Sequence, residues 1–98
     1  MSYEICFFAR DEKKASKSYK THHIHFIDAT TIFNDLTRYE EFDESHSTTE
    51  ERFKTIGTAI INSVPTIITV VYTVRHDTIR IITAWKSTAE EVKKYNQR

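Results

Sequence analysis

The strongest pattern in the chain is a pair of apolar, β-branched segments near its C-terminal end. Residues 67–74 and 78–85 are rich in Ile, Val, Thr and aromatic side chains, all of which favour strands. Three polar residues, at positions 75–77, separate the two segments. The pattern therefore predicts a β-hairpin whose arms lie in the centre of a sheet.

The second arm of this hairpin carries an arginine among isoleucines, which a purely structural strand avoids. Strict alternation places Arg80 and Lys86 on one face of the strand and Trp85 on the other. The face with two cations is therefore the first candidate for a functional surface. The alternative is that Arg80 forms a structural ion pair with an acid. By the same alternation Trp85 is a core residue, unless a β-bulge turns it over.

The N-terminal half predicts one strand and two helices. Residues 3–8 form a short apolar run that is typical of a strand, and a polar helix over residues 11–20 begins at a capping aspartate. Apolar residues recur at i, i+3, i+6 and i+7 within residues 26–35, which predicts an amphipathic helix. Residues 36–49 are acidic and lack apolar periodicity, so they are predicted to form a loop.

The C-terminal half adds a strand before the hairpin and a helix after it. Residues 52–58 alternate as a strand, and the apolar residues that follow extend it or form a turn. Ser87 and Glu90 have the spacing of a capping box, which predicts a last helix over residues 88–96. The expected fold class is α+β, a single domain over residues 1–98 with an antiparallel sheet and the order β-α-α-β-β-β-α.

Composition narrows the class of protein. The chain has 98 residues, of which 39% are hydrophobic and 29% charged, as in ordinary soluble domains. It lacks the roughly 20-residue apolar stretch of a membrane span, and its N-terminus lacks a signal-peptide pattern. Cys6 is the only cysteine, which excludes an intramolecular disulfide and favours a cytoplasmic location. Gly57 is the only glycine, so a glycine-rich phosphate loop is excluded and no cofactor is expected.

Charge is segregated along a chain whose net charge is zero. Residues 1–51 hold 6 Lys/Arg and 11 Asp/Glu, a net charge of −5, whereas residues 52–98 hold 8 and 3, a net charge of +5. Such segregation can serve an anionic ligand on one face, although two solvated faces that keep the protein soluble are the alternative.

Three closely spaced histidines raise the possibility of a metal site. They are His22, His23 and His25. Structural zinc sites use four ligands, usually with cysteine pairs or with histidines at helical spacing, and neither pattern occurs here. These histidines are therefore interpreted as surface residues, and no metal is expected.

A set of positions along nearly the whole chain matches the pattern of one known family. The matching residues are Phe8, Asp11, Lys14, His22, Ile24, Phe26, Ala29 and Phe33, then 51–53 and 56–57, and in the hairpin 70–73, Arg75, 80–84, Lys86, Glu91 and Tyr95. The hairpin matches best in its spacing. On these residues the chain resembles the BrnT-type toxins, the ribonuclease half of bacterial type II toxin–antitoxin pairs, with a RelE-like fold.

The resemblance implies a function and its partners. It implies a toxin that is a metal-independent endoribonuclease, cleaves cellular RNA and inhibits growth or translation. It also implies neutralisation by a small DNA-binding antitoxin in a hetero-oligomer, so that operator DNA is reached only through the antitoxin. No contact with a membrane is expected.

Cleavage by the 2′-hydroxyl needs cations aimed at the phosphate oxygens and groups that transfer protons. The residues assigned to these tasks come from the cationic strand face and from the resemblance. Arg80 and Lys86 are assigned as the phosphate clamp, His22 as the general acid/base with a reference pKa of roughly 6.5, Glu51 as a second candidate base, and Arg75 and Lys14 as RNA contacts.

The chain departs from the family pattern at a few positions. Where the family has Trp, Asn, Lys and Gly, this chain has Arg10, Ser18, Thr21 and His23. In the hairpin motif, Trp85 replaces an arginine of the family. The loss of that cation favours an alternative function, a catalytically weak or inactive relative that binds a protein or RNA through the same basic face.

Overall fold

The predicted hairpin forms the centre of a five-stranded sheet in the computed structural model, which describes residues 4–5, 24–44 and 50–98. The strands are β1 (Glu4–Ile5), β2 (Tyr39–Phe42), β3 (Phe53–Ile61), β4 (Val64–Arg75) and β5 (Thr78–Lys86). The helices are α1 (Phe26–Ala29), which continues as a 3₁₀ helix (Thr30–Asn34), and α2 (Ala89–Asn96).

The sheet has the order β1-β5-β4-β3-β2. Strands β2 to β5 are antiparallel, whereas β1 pairs with β5 in parallel. The α+β class is therefore confirmed, but the sheet is mixed, and four strands rather than three follow α1. The predicted helix over residues 11–20 lies outside the described residues, and the RelE-like order stays a prediction.

Two tight turns fix the register of the hairpins. His76 and Asp77, with φ of 52° and 62°, form a two-residue turn between Arg75 and Thr78. Residues 62–63 form a second one, with φ of 50° and 67°. Positive φ at both central residues gives the turn a twist that matches the flanking strands. The polar separator is thus one residue shorter than predicted, and Arg75 belongs to β4.

Strand β2 lies within residues 36–49, where the sequence predicts a loop. Glu41 faces Lys54 across the pair with β3, and the rings of Phe42 and Phe53 lie 5.9 Å apart, edge to face. These cross-strand contacts stabilise a strand whose own sequence has no apolar alternation. The loop prediction is therefore wrong for Tyr39–Phe42.

The core lies between α1 with its 3₁₀ extension and one face of the sheet, which we call the inner face. Side chains from both layers are almost fully buried there. They include Ile24 just before α1, then Phe26, Ala29 and Ile32 from the helical layer, and Ile68, Val70, Tyr72, Ile79, Ile81 and Ala84 from the sheet. The opposite side, the outer face, is covered at one end by α2.

The helical layer also covers the part of the β3 edge that β2 does not reach. Three side chains accept hydrogen bonds from three alternate backbone N–H groups of this edge. Asp35 Oδ2 accepts from Thr58 at 3.0 Å, Thr31 Oγ1 from Ile60 at 2.7 Å and Asp28 Oδ2 from Asn62 at 3.5 Å. An unpaired edge would present these donors to other chains, so the capping closes it to further strands.

Helix α2 begins one residue later than the sequence predicts. Ser87 N donates to Ile67 O at 3.2 Å and Ser87 Oγ bonds Thr69 Oγ1 at 2.8 Å, so Ser87 remains tied to β4. Thr88 is the N-cap, in a capping box with Glu91. The predicted helix is confirmed, but its predicted cap is wrong.

The end of α2 is fixed by a carboxylate from the opposite layer. Tyr95 donates to Asp35 Oδ2 at 2.6 Å and lies 3.1 Å from Thr58 Oγ1. Burial alone would raise the pKa of Asp35, but hydrogen bonds from Thr58, Tyr95 and Thr37 outweigh it and lower the pKa from 3.8 to about 2. The ionised carboxylate therefore joins α2, β3 and the 3₁₀ helix.

The single glycine, Gly57 on β3, lets the 3₁₀ helix and the residues after it lie close to the strand. A Cβ on Gly57 would lie 2.9 Å from Arg38 Cβ, 3.0 Å from Ile32 Cγ1 and 3.1 Å from Asp35 Oδ2. Arg38 Cβ is bonded to the backbone, so a change of rotamer cannot relieve that contact.

We expect Gly57→Ala to lower the free energy of unfolding by about 1–3 kcal/mol, because the added methyl group forces the 3₁₀ helix away from β3. Urea denaturation followed by circular dichroism measures this. An unchanged urea midpoint would show that the helical layer can shift away from β3 without a loss of stability.

Candidate functional site

A β-bulge in β5 decides which side chains reach the outer face. Ile81 faces Tyr72 on β4 and Thr83 faces Val71, so Ile82 is an extra residue between two consecutive pairs. One inserted residue reverses the alternation of all the residues that follow it.

The reversal separates the two cations that the sequence places together. Arg80 faces Thr73, whereas Lys86 faces Ile68, which belongs to the inner-face core. Since cross-strand partners share a face, Arg80 lies on the outer face and Lys86 on the inner side. The two are also six residues apart, roughly 20 Å along the strand. The predicted shared face is therefore wrong.

The same reversal brings Trp85 to the outer face. Trp85 faces Thr69 on β4, and its side chain is half-buried. The prediction that it is a core residue is wrong, and the bulged alternative is the one observed.

An open groove of about 450 Å³ lies on the outer face and is lined by residues of β2 to β5 and of the segments next to them. Its apolar surface comes from Phe42, Val71, Ile82 and Trp85, and charged side chains of both signs surround this surface. The charged lining residues are Glu41, Asp43, Arg52 and Lys54.

One buried carboxylate organises the α2 end of the groove. Glu91 Oε1 accepts from Trp85 Nε1 at 3.0 Å and from Thr88 N at 2.9 Å, while Oε2 pairs with Lys54 Nζ at 3.0 Å. Lys54 Nζ also lies 5.9 Å from the centre of the Trp85 ring. Burial alone would raise the pKa of Glu91, but the hydrogen bonds from Thr88, Lys54 and Trp85 lower it below its ordinary value.

At the other end of the face, the residues directly before β3 and the last residues of β4 bring further predicted site residues near Arg80. Thr73, which faces Arg80, donates through Oγ1 to Glu51 O at 2.7 Å. Arg75 forms an ion pair with Glu50 at 2.8 Å. Within the described residues the exposed Arg80 has no ion-pair partner, so the structural alternative for this residue is not observed there.

The structure thus brings Arg80, Glu51 and Arg75 to one end of the sheet and places Lys86 away from them. His22 and Lys14 lie outside the described residues. The sequence interpretation missed Arg52 and Lys54, although alternation within residues 52–58 places them on one face. It also missed Glu91, for which the signal was a second capping box one residue after the first.

Two further observations concern the described part of the chain alone. Within it, His, Cys, Asp and Glu side chains form no group of three that could hold a metal ion. Its helices are too short and too polar to cross a membrane.

One protein family matches the sequence over most of its length. Its model, described as the ribonuclease toxin BrnT of type II toxin–antitoxin systems, matches residues 11–91. This range includes strands β2 to β5 and the residues that line the groove. No curated protein matches the chain at a significant level.

We expect Glu91→Gln to make the free energy of unfolding depend less on pH between pH 7 and pH 3. The lowered pKa of Glu91 means that its carboxylate stabilises the fold above its ordinary value of 4.5, and this contribution is lost as the pH falls through the folded-state pKa. The variant should lose stability at pH 7, by about 1 kcal/mol, and differ less from the native protein in acid. Urea midpoints between pH 7 and pH 3 measure both effects, with Glu90→Gln, an exposed change in the same turn, as the control. Parallel curves for native protein and Glu91→Gln would contradict this.

Proposed function

Because the chain belongs to the BrnT family of ribonuclease toxins of type II toxin–antitoxin systems, we propose that it is an endoribonuclease that cleaves cellular RNA without a metal and inhibits growth or translation. The observation that carries the proposal for the site is the open outer face, with the exposed Arg80 at one end and the groove at the other.

The outer face suits RNA better than the inner face does. The helical layer covers the inner face and buries its apolar side chains. The outer face instead carries Lys54 on β3 and Arg80 on β5, with Arg52 directly before β3, and α2 covers it only in part. Cations on an open surface bind the phosphates of a single strand, and the apolar surface between them suits bases.

In the proposed reaction, the 2′-hydroxyl attacks the adjacent phosphate and the 5′-oxygen leaves. Charge grows on the non-bridging oxygens, and the exposed guanidinium of Arg80 is proposed to stabilise it. Glu51, whose backbone oxygen accepts from the Thr73 hydroxyl opposite Arg80, is proposed to accept the proton of the 2′-hydroxyl through its exposed carboxylate. His22 is proposed, on the family resemblance alone, as the group that protonates the leaving oxygen or shares the role of the base.

The remaining assignments differ in their support. Arg75 is proposed to position RNA by releasing Glu50, its ion-pair partner, and binding a phosphate instead. Lys14 is proposed as an RNA contact on the family resemblance alone. Lys86 cannot reach the phosphate that Arg80 binds, because the bulge places it on the other side of the sheet. The proposed clamp therefore consists of Arg80 with other cations of the outer face.

The proposal includes a protein partner. Type II membership implies an antitoxin protein, and we propose a hetero-oligomer in the cytoplasm that keeps RNA from the outer face. Operator DNA is proposed to be contacted only through the antitoxin.

Two observations favour a second candidate function, a catalytically weak or inactive module that binds RNA or protein. Trp85 occupies the position of an expected arginine, and the nearby Lys54 is engaged by Glu91 at 3.0 Å. Fewer cations then remain for a transition state, although the face could still bind a strand.

We expect Arg80→Ala to lower the rate of RNA cleavage on the order of 10²–10³-fold, because one preorganised contact to the transition state is lost. Lys86→Ala is the matched comparison, an exposed cation removed from the same strand but from the other side, and should cleave at nearly the native rate. The measurement is cleavage of total RNA by purified protein, with and without a chelator, alongside circular dichroism. An equal loss of cleavage in both variants would contradict the assignment of the active site to the outer face. A native protein that does not cleave RNA would favour the binding module.

We expect the protein to elute as a larger complex when it is co-expressed with the product of a small neighbouring reading frame, and growth arrest to be relieved at the same time. Size-exclusion chromatography with mass determination measures the complex. A locus without such a frame, or a protein that remains alone and toxic, would contradict the antitoxin assignment.

A further inference from the structure

The groove on the outer face contains the only tryptophan of the chain. We propose that this groove binds one unpaired base of the RNA, stacked on Trp85, and so selects which bond is cut. The inference rests on the proposed ribonuclease function and adds a subsite to it. It makes Trp85 a specificity-determining residue rather than a catalytic one.

The lining of the groove favours a base over a phosphate. Trp85, Val71 and Ile82 give an apolar surface, and the volume of about 450 Å³ lies within the range of small-molecule sites. Glu41 and Asp43 lie on the same rim as the cations, so the groove has no excess of positive charge. These carboxylates offset the attraction of Arg52 and Lys54 for a phosphate, whereas the amino groups of a base can donate to them.

The aromatic surface is held in place before any ligand arrives. Glu91 accepts from Trp85 Nε1 and pairs with Lys54, so one buried carboxylate fixes both the ring and the cation beside it. A ring that is already ordered loses little conformational entropy on binding, which strengthens stacking.

The distance to Arg80 determines which nucleotide this base belongs to. Trp85 and Arg80 lie on the same face of β5, five residues apart with one bulge between them. This separation is roughly 15 Å, so the stacked base and the phosphate at Arg80 belong to different nucleotides. The RNA must also be single-stranded at this point, because a base-paired nucleotide cannot insert its base into the groove.

The test uses the purified native protein and a short single-stranded RNA that it cleaves, together with a set of copies that each lack one base. Trp85 is the sole source of tryptophan fluorescence, so stacking is observed directly as quenching. We expect loss of quenching, and about 5- to 150-fold weaker binding, when the base is missing at one position near the cleaved bond. The other copies should behave like the intact RNA.

Two variants link this position to the side chain. Trp85→Leu, assayed with a dye-labelled RNA, should bind the intact RNA as weakly as the native protein binds the sensitive copy, and should not distinguish the two. Trp85→Phe, which keeps an aromatic ring, should recover part of the discrimination. Ile27→Ala, an exposed apolar change on α1, should leave it unaltered.

The outcomes separate the two levels of the proposal. A protein that cleaves RNA but shows no quenching and no sensitive position overturns the base subsite and leaves the ribonuclease function standing. A protein that neither binds nor cleaves RNA overturns both. The subsite is also overturned if Trp85→Leu still distinguishes the sensitive copy.

Discussion

The extra residue at Ile82 is the constraint on which the outer face depends. Side chains of a strand alternate with a period of two, so one inserted residue exchanges the faces of everything beyond it. Before the bulge, β5 sends Arg80 outward, and after it, β5 sends Trp85 outward and Lys86 inward. A regular strand would instead place the indole among the buried isoleucines and remove the ring from the groove. The bulge therefore sets the chemistry of the face.

The second constraint is the closure of the β3 edge by the helical layer. Acceptors spaced by three and four residues on a helix match alternate N–H groups of a strand, and Asp28, Thr31 and Asp35 meet that condition. Asp35 also accepts from Tyr95, which fixes α2 on the other side of the sheet. The same carboxylate thus holds both helical layers, and the part of the outer face beyond α2 remains open for a ligand.

Local pattern was sufficient for the hairpin, for the strand before it and for the helices over residues 26–34 and 89–96, because each has a clear period of its own. It was not sufficient for β2, whose Tyr-Glu-Glu-Phe sequence becomes a strand only through its pairing with β3. The cap of α2 was ambiguous, because Ser87 and Thr88 each precede a glutamate by three residues. The bonds of Ser87 to Ile67 and Thr69 on β4 decide between them. Alternation correctly put Arg80 on the face of β5 opposite Ile79 and Ile81, whereas the reversal at Ile82 left no signal in the sequence.

Trp85 stands where the family resemblance leads one to expect an arginine, and its indole takes part in the network around Glu91. A buried carboxylate such as Glu91 needs donors, and the indole Nε1 supplies one at 3.0 Å while Lys54 supplies the neutralising charge. The network around Glu91 is therefore satisfied without the arginine. Relative to that expectation, the outer face has an aromatic ring in place of a cation, beside the cation Lys54. For a ligand that carries both phosphates and bases, this shifts the source of binding energy from charge towards stacking, which depends less on salt.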